Sequence, residues 1–329
     1  MKDRRKMGFI LMLLVILLLK AVPCAAAADT QKMEFLAGNK ALRDTDAFVF
    51  VILGDGFTES EQTSFFSQAK QTAEYILGTS PYREQKELFK FYGVFEPSVE
   101  SGARGEQASS LQEALADRRD TFYHSSYWTD GVQRLLAMPE EDEKKAKLLA
   151  RQFVPDVDYS ILLVNATTYG GSGGEVCVAS LHEESLEIVL HELGHTIAGL
   201  GDEYWPGSDQ ITETPNTTRQ SKPALVPWAK LVGTDGVGVY PFPESNNSWY
   251  RPSQDCKMQY LGREHDFCAV CKAALTEAFA AHSNAQAVKS LQTRQRLLQI
   301  NLTLAVLTVV CIVCSAVLKK RKKKIEKKD

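Results

Sequence analysis

The apolar positions of the chain alternate between strand-like runs and helix-like periodicity. Phe48 to Leu53 is a continuous β-branched and aromatic run, the pattern of a buried strand. Gly54-Asp55-Gly56 turns it, and Thr58 with Glu61 has the spacing of a capping box. That box opens a predicted helix to about Leu77, which Gly78 stops. Leu88 to Phe95 and Tyr159 to Val164 read as two further strands. Val132 to Leu136 and Glu140 to Phe153 read as helices, the second with a dense surface charge. Residues 98–110 are rich in Ser and Gly and predict a loop, and Tyr169 to Gly174 predict a second, flexible one. Ser185 to about Ala198 and Phe267 to about Ala281 are the remaining helices. Between them, residues 205–252 carry many Pro, Gly, Asn and Ser residues and little periodicity. A segment of that length without regular pattern points to a functional irregular region.

The two ends differ from this body. Lys2, Arg4, Arg5 and Lys6 precede an apolar run from Gly8 to Leu19, and Ala26-Ala27-Ala28 offers a small-residue cleavage site. Residues 1–28 thus read as a secretory signal peptide. Leu297 to Leu318 contains no charged residue and is followed at once by Lys319-Lys320-Arg321-Lys322-Lys323-Lys324. This pattern predicts a transmembrane helix with a cytoplasmic C-terminus. The expected order is a leader over 29–45, a catalytic domain over 46–281, a polar stalk over 282–296, the membrane helix over 297–318 and a basic tail over 319–329. The chain is then a single-pass membrane protein with an extracellular, monomeric ectodomain.

The net charge of −3 hides an asymmetry. Setting aside the eight basic and two acidic residues of 319–329 and the five basic and one acidic residues of the first twenty leaves 25 basic against 38 acidic, a net of −13. A body this acidic argues against nucleic acid as a partner. Four cysteines, Cys177, Cys256, Cys268 and Cys271, lie outside the two ends and allow two disulfides in three connectivities. Cys268-Ala-Val-Cys271 has the spacing of half a zinc site, but no second pair matches it. The expectation is at least one disulfide, using Cys256.

His191-Glu192-Leu193-Gly194-His195 carries the strongest chemical signal. Residues i and i+4 share one helix face, so two imidazoles can meet one Zn²⁺. Glu192 is placed to act as general base on a water at that metal. Leu186, Ile188, Val189 and Leu190 make the helix a buried one, where two His and a Glu without partners are costly. Catalytic zinc usually takes three protein ligands and keeps one position open. Asp202 in a continued helix would lie roughly 10 Å from His195 along the axis. Gly199 and Gly201 can break the helix and fold Asp202 back to the metal. Glu203 is the runner-up, with His182 and His265 behind it.

This arrangement resembles the metzincins, whose motif is H-E-x-x-H-x-x-G-x-x-H, although here the Gly and the last ligand come one residue late and the ligand is an acid. Cys256-Lys257-Met258-Gln259-Tyr260 is similar to the Met-turn of that group. The resemblance implies a Met beneath the metal and a role for Tyr260 at the metal or the oxyanion. The chain resembles the M64 metallopeptidases, the IgA peptidase family, more closely still. The matching pieces are Gly54 to Thr58, Ser98 to Gly102, Asn165, Tyr169 to Gly174, His191 to Tyr204, Pro215-Asn216, Tyr250 to Ser253, Cys256 to Met258 and Phe267 to Cys271. They run in family order over about residues 46–280.

The reading is therefore an α+β, zincin-like domain with a twisted mixed sheet, an active-site helix and an irregular C-terminal half. It binds one Zn²⁺ per chain through His191, His195 and Asp202. Glu192 and Tyr260 serve catalysis on extracellular protein or peptide substrates. The edge of the sheet beside the zinc is open to a substrate strand. Two rivals remain: a surface binding protein with a structural zinc, and a hydrolase of a non-peptide amide.

Overall fold

The computed structural model describes residues 32–205, 211–243, 249–283, 292, 295–301, 303–304 and 307. A six-stranded mixed sheet organises the domain. Its strands are β1 (Met33–Gly38), β2 (Phe48–Asp55), β3 (Phe89–Val94), β4 (Tyr159–Val164), β5 (Gly171–Ser172) and β6 (Val176–Ser180), in the order β1-β3-β2-β4-β6-β5. The four inner strands run parallel, and the two edge strands β1 and β5 pair antiparallel. Parallel neighbours need crossovers; a helix supplies the one from β2 to β3, whereas β4 passes to β6 by way of β5. The helices are α1 (Gln62–Gly78), the short α2 (Leu111–Ala116), α3 (Glu140–Phe153), α4 (Ser185–Ala198) and α5 (269–283).

Strand β2 is buried along its whole length because its alternate side chains feed two different cores. Phe48, Phe50 and Ile52 pack on the side of α1, α4 and α5, where Phe65, Val189 and Phe279 lie. Val49, Val51 and Leu53 pack on the other side, with Tyr123, Tyr127, Ala146 and Ala150. At the end of β2 the buried Asp55 accepts the backbone N–H of Tyr123 (2.8 Å) and of Ser125 (3.0 Å). One carboxylate thus pins the long 95–138 segment to the sheet. The capping box forms: Glu61 accepts the Thr58 N–H at 2.8 Å, and the same carboxylate accepts the side chains of Ser101 and Asn165.

Several expectations change. The sheet begins at Met33, within the residues read as a leader. Its strand β1 lies at the edge and buries only Leu36, so its sequence shows little alternation. Val132 to Leu136 is not helical; Trp128 and Asp130 before it adopt positive φ, and Leu135 and Ala137 form isolated bridges with Gly171 and Ser126. The glycine-rich loop contains β5, and the sheet edge it forms is partly covered. The Gly171 N–H donates to the Arg134 carbonyl (3.3 Å), and Ser172 Oγ donates to the Leu136 carbonyl (2.8 Å).

The expected transmembrane helix is corrected. Among the described residues, no helix is long and apolar enough to cross a membrane. Within 297–318, residues 297–301, 303–304 and 307 are described, and these are helical. The rest of that stretch, the signal segment 1–28, most of the stalk and the tail 319–329 lie outside the described residues. The expected membrane partner thus has no anchoring helix among the described residues.

Candidate active site

Helix α4 carries His191, Glu192 and His195, and the first two line a cleft of about 630 Å³. The cleft is lined by Arg134, Tyr169, Gly173, Tyr204, Tyr260 and His265, with His191 and Glu192 among them. The helix ends where the glycine permits it: Gly199 has φ +60° and caps the last turn, its N–H donating to the His195 carbonyl (2.9 Å). The chain then doubles back. Asp202 Oδ1 comes to 3.0 Å from His191 Nε2 and 3.3 Å from His195 Nε2, and the two Nε2 atoms are 3.0 Å apart.

The protonation of the imidazoles follows from their other nitrogens. His191 Nδ1 lies 3.0 Å from the Lys257 carbonyl, and His195 Nδ1 lies 2.6 Å from the Leu200 carbonyl. A carbonyl only accepts, so each Nδ1 carries the proton and each Nε2 turns a lone pair inward. Asp202 Oδ1 is buried and lacks a well-formed hydrogen bond, despite its closeness to both rings. Three lone-pair atoms therefore converge on one point, an arrangement that repels itself unless a cation lies there. Tetrahedral ligands about 2.0–2.1 Å from a zinc stand about 3.3 Å apart. The observed separations fit that spacing, so the residues suit the metal the sequence implies.

The surrounding elements hold these groups in place. Met258 is fully buried beneath α4, and its Sδ would lie 2.8 Å from a Cβ added to Gly194. Only a glycine between the two histidines lets the Met-turn come this near. Lys257, one residue earlier, is buried and ion-paired to the buried Glu187 of α4, which also accepts the Tyr75 hydroxyl. The residue whose carbonyl orients His191 is thereby tied to the helix that carries His191. Asn216 is fully buried; it accepts the Gly201 N–H (2.7 Å) and donates to the Gly201 carbonyl (2.8 Å) and to Glu203 Oε1 (2.9 Å). It clamps the 199–204 turn. Across the cleft, a Cβ on Gly173 would meet Glu192 Oε2 at 2.0 Å, so the carboxylate rests against bare backbone.

Tyr260 lines the cleft, is 42% exposed, and packs its ring on His265 at 4.9 Å. A second tyrosine, Tyr204, went unnoticed in the sequence. It also lines the cleft, and burial together with the Asp202 and Glu192 carboxylates pushes its phenol up to about 12. Its position two residues after Asp202 was the available signal. Of the other ligand candidates, His182 accepts the Glu184 N–H through Nδ1, and His265 pairs with Asp255. Glu203 points away from the cleft.

Glu203 belongs to a second cluster. Its carboxylate and the Sγ atoms of Cys256, Cys268 and Cys271 lie within 4.8 Å of one another. Where one metal site was expected, the described residues hold two groups of converging ligand atoms. The expected disulfide is absent: all four cysteines are free, and Cys256 Sγ lies 3.7 Å from Cys271 Sγ, against about 2.05 Å for a bond. Cys177 sits apart in β6.

A search of curated proteins found no match to the chain. The model of the family described as IgA Peptidase M64 matches residues 38–246. That span holds strands β2 to β6, α4, Asp202, Glu203 and Asn216; the Met-turn and the three clustered cysteines follow it in the chain. The match covers more than half of the chain, which belongs to the M64 family of peptidases.

Proposed function

We propose that the chain is a zinc-dependent endopeptidase acting on extracellular protein or glycoprotein substrates. The reading is supported above all by the convergence of His191 Nε2, His195 Nε2 and Asp202 Oδ1 on one point, with His191 lining the cleft. Zinc bound there supplies Lewis acidity to the scissile carbonyl and to the attacking water. Asp202 offsets part of the cation's charge, and the two backbone carbonyls fix the imidazole tautomers that bind it.

Glu192 is the general base. It follows His191 directly, lines the same cleft, and takes a proton from the attacking water before delivering it to the leaving amine. Bare backbone at Gly173 leaves room for its carboxylate beside the substrate. Tyr260 is assigned to the developing oxyanion, as a phenol exposed in the same cleft. The extracellular setting rests on the signal-like pattern of residues 1–28.

The test is turnover of a quenched peptide library by the purified full-length chain. Hydrolysis is expected to stop on chelation and return with zinc. Glu192→Gln is expected to keep its metal and to lose about 10²–10⁴-fold in rate. Undiminished turnover by a zinc-loaded Glu192→Gln chain overturns the mechanism.

A further inference from the structure

The second cluster combines four groups from three separate stretches of chain. Glu203 leaves the turn after α4, Cys256 opens the Met-turn, and Cys268 and Cys271 stand at the start of α5. Glu203, Cys256 and Cys271 have no solvent exposure, and Cys268 is partly buried. The helix start favours negative charge on its two sulfurs, since the first N–H groups of a helix lack partners and its dipole is positive there.

The distances decide between the uses of such a cluster. Ligands about 2.3 Å from a tetrahedral zinc place two sulfurs about 3.8 Å apart. Cys256 Sγ and Cys271 Sγ are 3.7 Å apart. A sulfur and a carboxylate oxygen around the same ion stand about 3.5 Å apart, and Cys271 Sγ to Glu203 Oε1 is 3.3 Å. Glu203 Oε2 is buried and has no hydrogen-bond partner. A cluster of neutral thiols and a protonated Glu203 would leave that orphan in the core, at a cost of about 1–3 kcal/mol. A cation among the four groups removes it.

We propose that Glu203, Cys256, Cys268 and Cys271 form a second metal site, closed and tetrahedral, for a thiophilic divalent cation of the zinc class. Four protein ligands fill the coordination sphere, so the site serves structure and has no open position for chemistry. It locks together the turn that presents Asp202, the turn that carries Met258 and the start of α5. Asn216 supports it from outside by donating to Glu203 Oε1. The proposal stands apart from the peptidase reading, because none of its ligands lines the cleft.

Metal content of the full-length chain tests it. The wild-type protein, purified without chelator, is expected to hold two equivalents of zinc. His191→Ala/His195→Ala removes the cleft site alone and is expected to retain one. With cobalt(II) in place of zinc, that double variant is expected to show sulfur-to-cobalt charge-transfer absorption, which imidazole and carboxylate ligands do not produce. Its unfolded, metal-free form is expected to release the three cluster thiols together with that of the buried Cys177. One equivalent in the wild type with none in the double variant overturns the proposal. So does a disulfide among Cys256, Cys268 and Cys271 in protein purified without reductant. Cys268→Ser/Cys271→Ser is expected to lose the second equivalent. Should that variant fail to fold, the cobalt spectrum of the histidine variant still decides.

Discussion

Asp202 is about one-third exposed and its Oδ1 lies 3.0 Å from Nε2 of the cleft-lining His191, whereas the next residue, Glu203, is fully buried with Oε1 3.3 Å from Cys271 Sγ. The burial of Asp202, Glu203 and Tyr204 alternates along the turn, so that Glu203 enters the core while its two neighbours do not. The two carboxylates thereby serve two clusters with different numbers of donors. At the cleft, three donors leave a position open, which chemistry requires. In the core, four donors close the site, which suits a structural ion. Seven residues after His195, one turn of chain supplies both sites.

Substitutions that separate the two clusters sharpen this comparison. The largest contrast is expected between Asp202→Ala and Glu203→Gln. Loss of a residue that only orients a ligand already costs about 10–100-fold in metal affinity or activity. Asp202→Ala is expected to lower turnover by more than about 10²-fold, with a small change in melting temperature. Glu203→Gln is expected to do the reverse, lowering melting temperature first. Equal loss of turnover in both would mean that the two carboxylates share one role.

Lys257 joins the regions, since its carbonyl orients His191 and its ammonium neutralises Glu187 in the core. Lys257→Met strands a buried carboxylate, which is expected to cost about 3–5 kcal/mol of stability. Denaturant unfolding checks this; a cost of about 1 kcal/mol or less, the scale of a surface pair, would place Glu187 in contact with water.

Gly173→Ala acts on the cleft alone. The new Cβ would overlap Glu192 Oε2, so the carboxylate must move. A displacement of about 1 Å can cost about 10²-fold in rate, and kcat is expected to fall by up to that factor with metal content unchanged. An unaltered kcat would show that Glu192 works from another position.

The smallest effect is expected at Asn216→Ala, which removes three hydrogen bonds from the shared turn. A loss of about 1–3 kcal/mol is expected, the scale of buried groups left unpaired. Because the turn feeds both clusters, both metal equivalents should be released at lower chelator concentration. Weakening of one equivalent alone would show that the turn is not shared.

Much of the fold was legible wherever burial is local in sequence. β2 and β4 are continuous apolar runs buried on both faces, and α3 and α4 occupy the stretches their patterns indicate. The pattern failed where partners elsewhere supply the structure. β1 buries one residue and is a strand because β3 pairs with it. Val132 to Leu136 has helical composition, but the left-handed residues before it and the bridges to Gly171 and Ser126 hold it in an irregular path. Helix α5 reaches the sheet through Phe279, whose ring packs on Phe48 and Phe89, a contact no periodicity encodes.

The sequence by itself determined the pairing of His191, Glu192 and His195, because the i, i+4 spacing on a helix is a property of the local chain. It also determined the break at Gly199, since a left-handed residue at a helix end favours glycine. Only the tertiary structure decided which of two adjacent carboxylates turns to the histidines. That choice depends on Asn216, Lys257 and Met258, which lie well beyond the turn in the chain. It alone also brought Cys256, Cys268 and Cys271 to Glu203. Their convergence comes from packing the Met-turn and α5 under α4, and such long-range closure leaves no fixed spacing in the sequence to read.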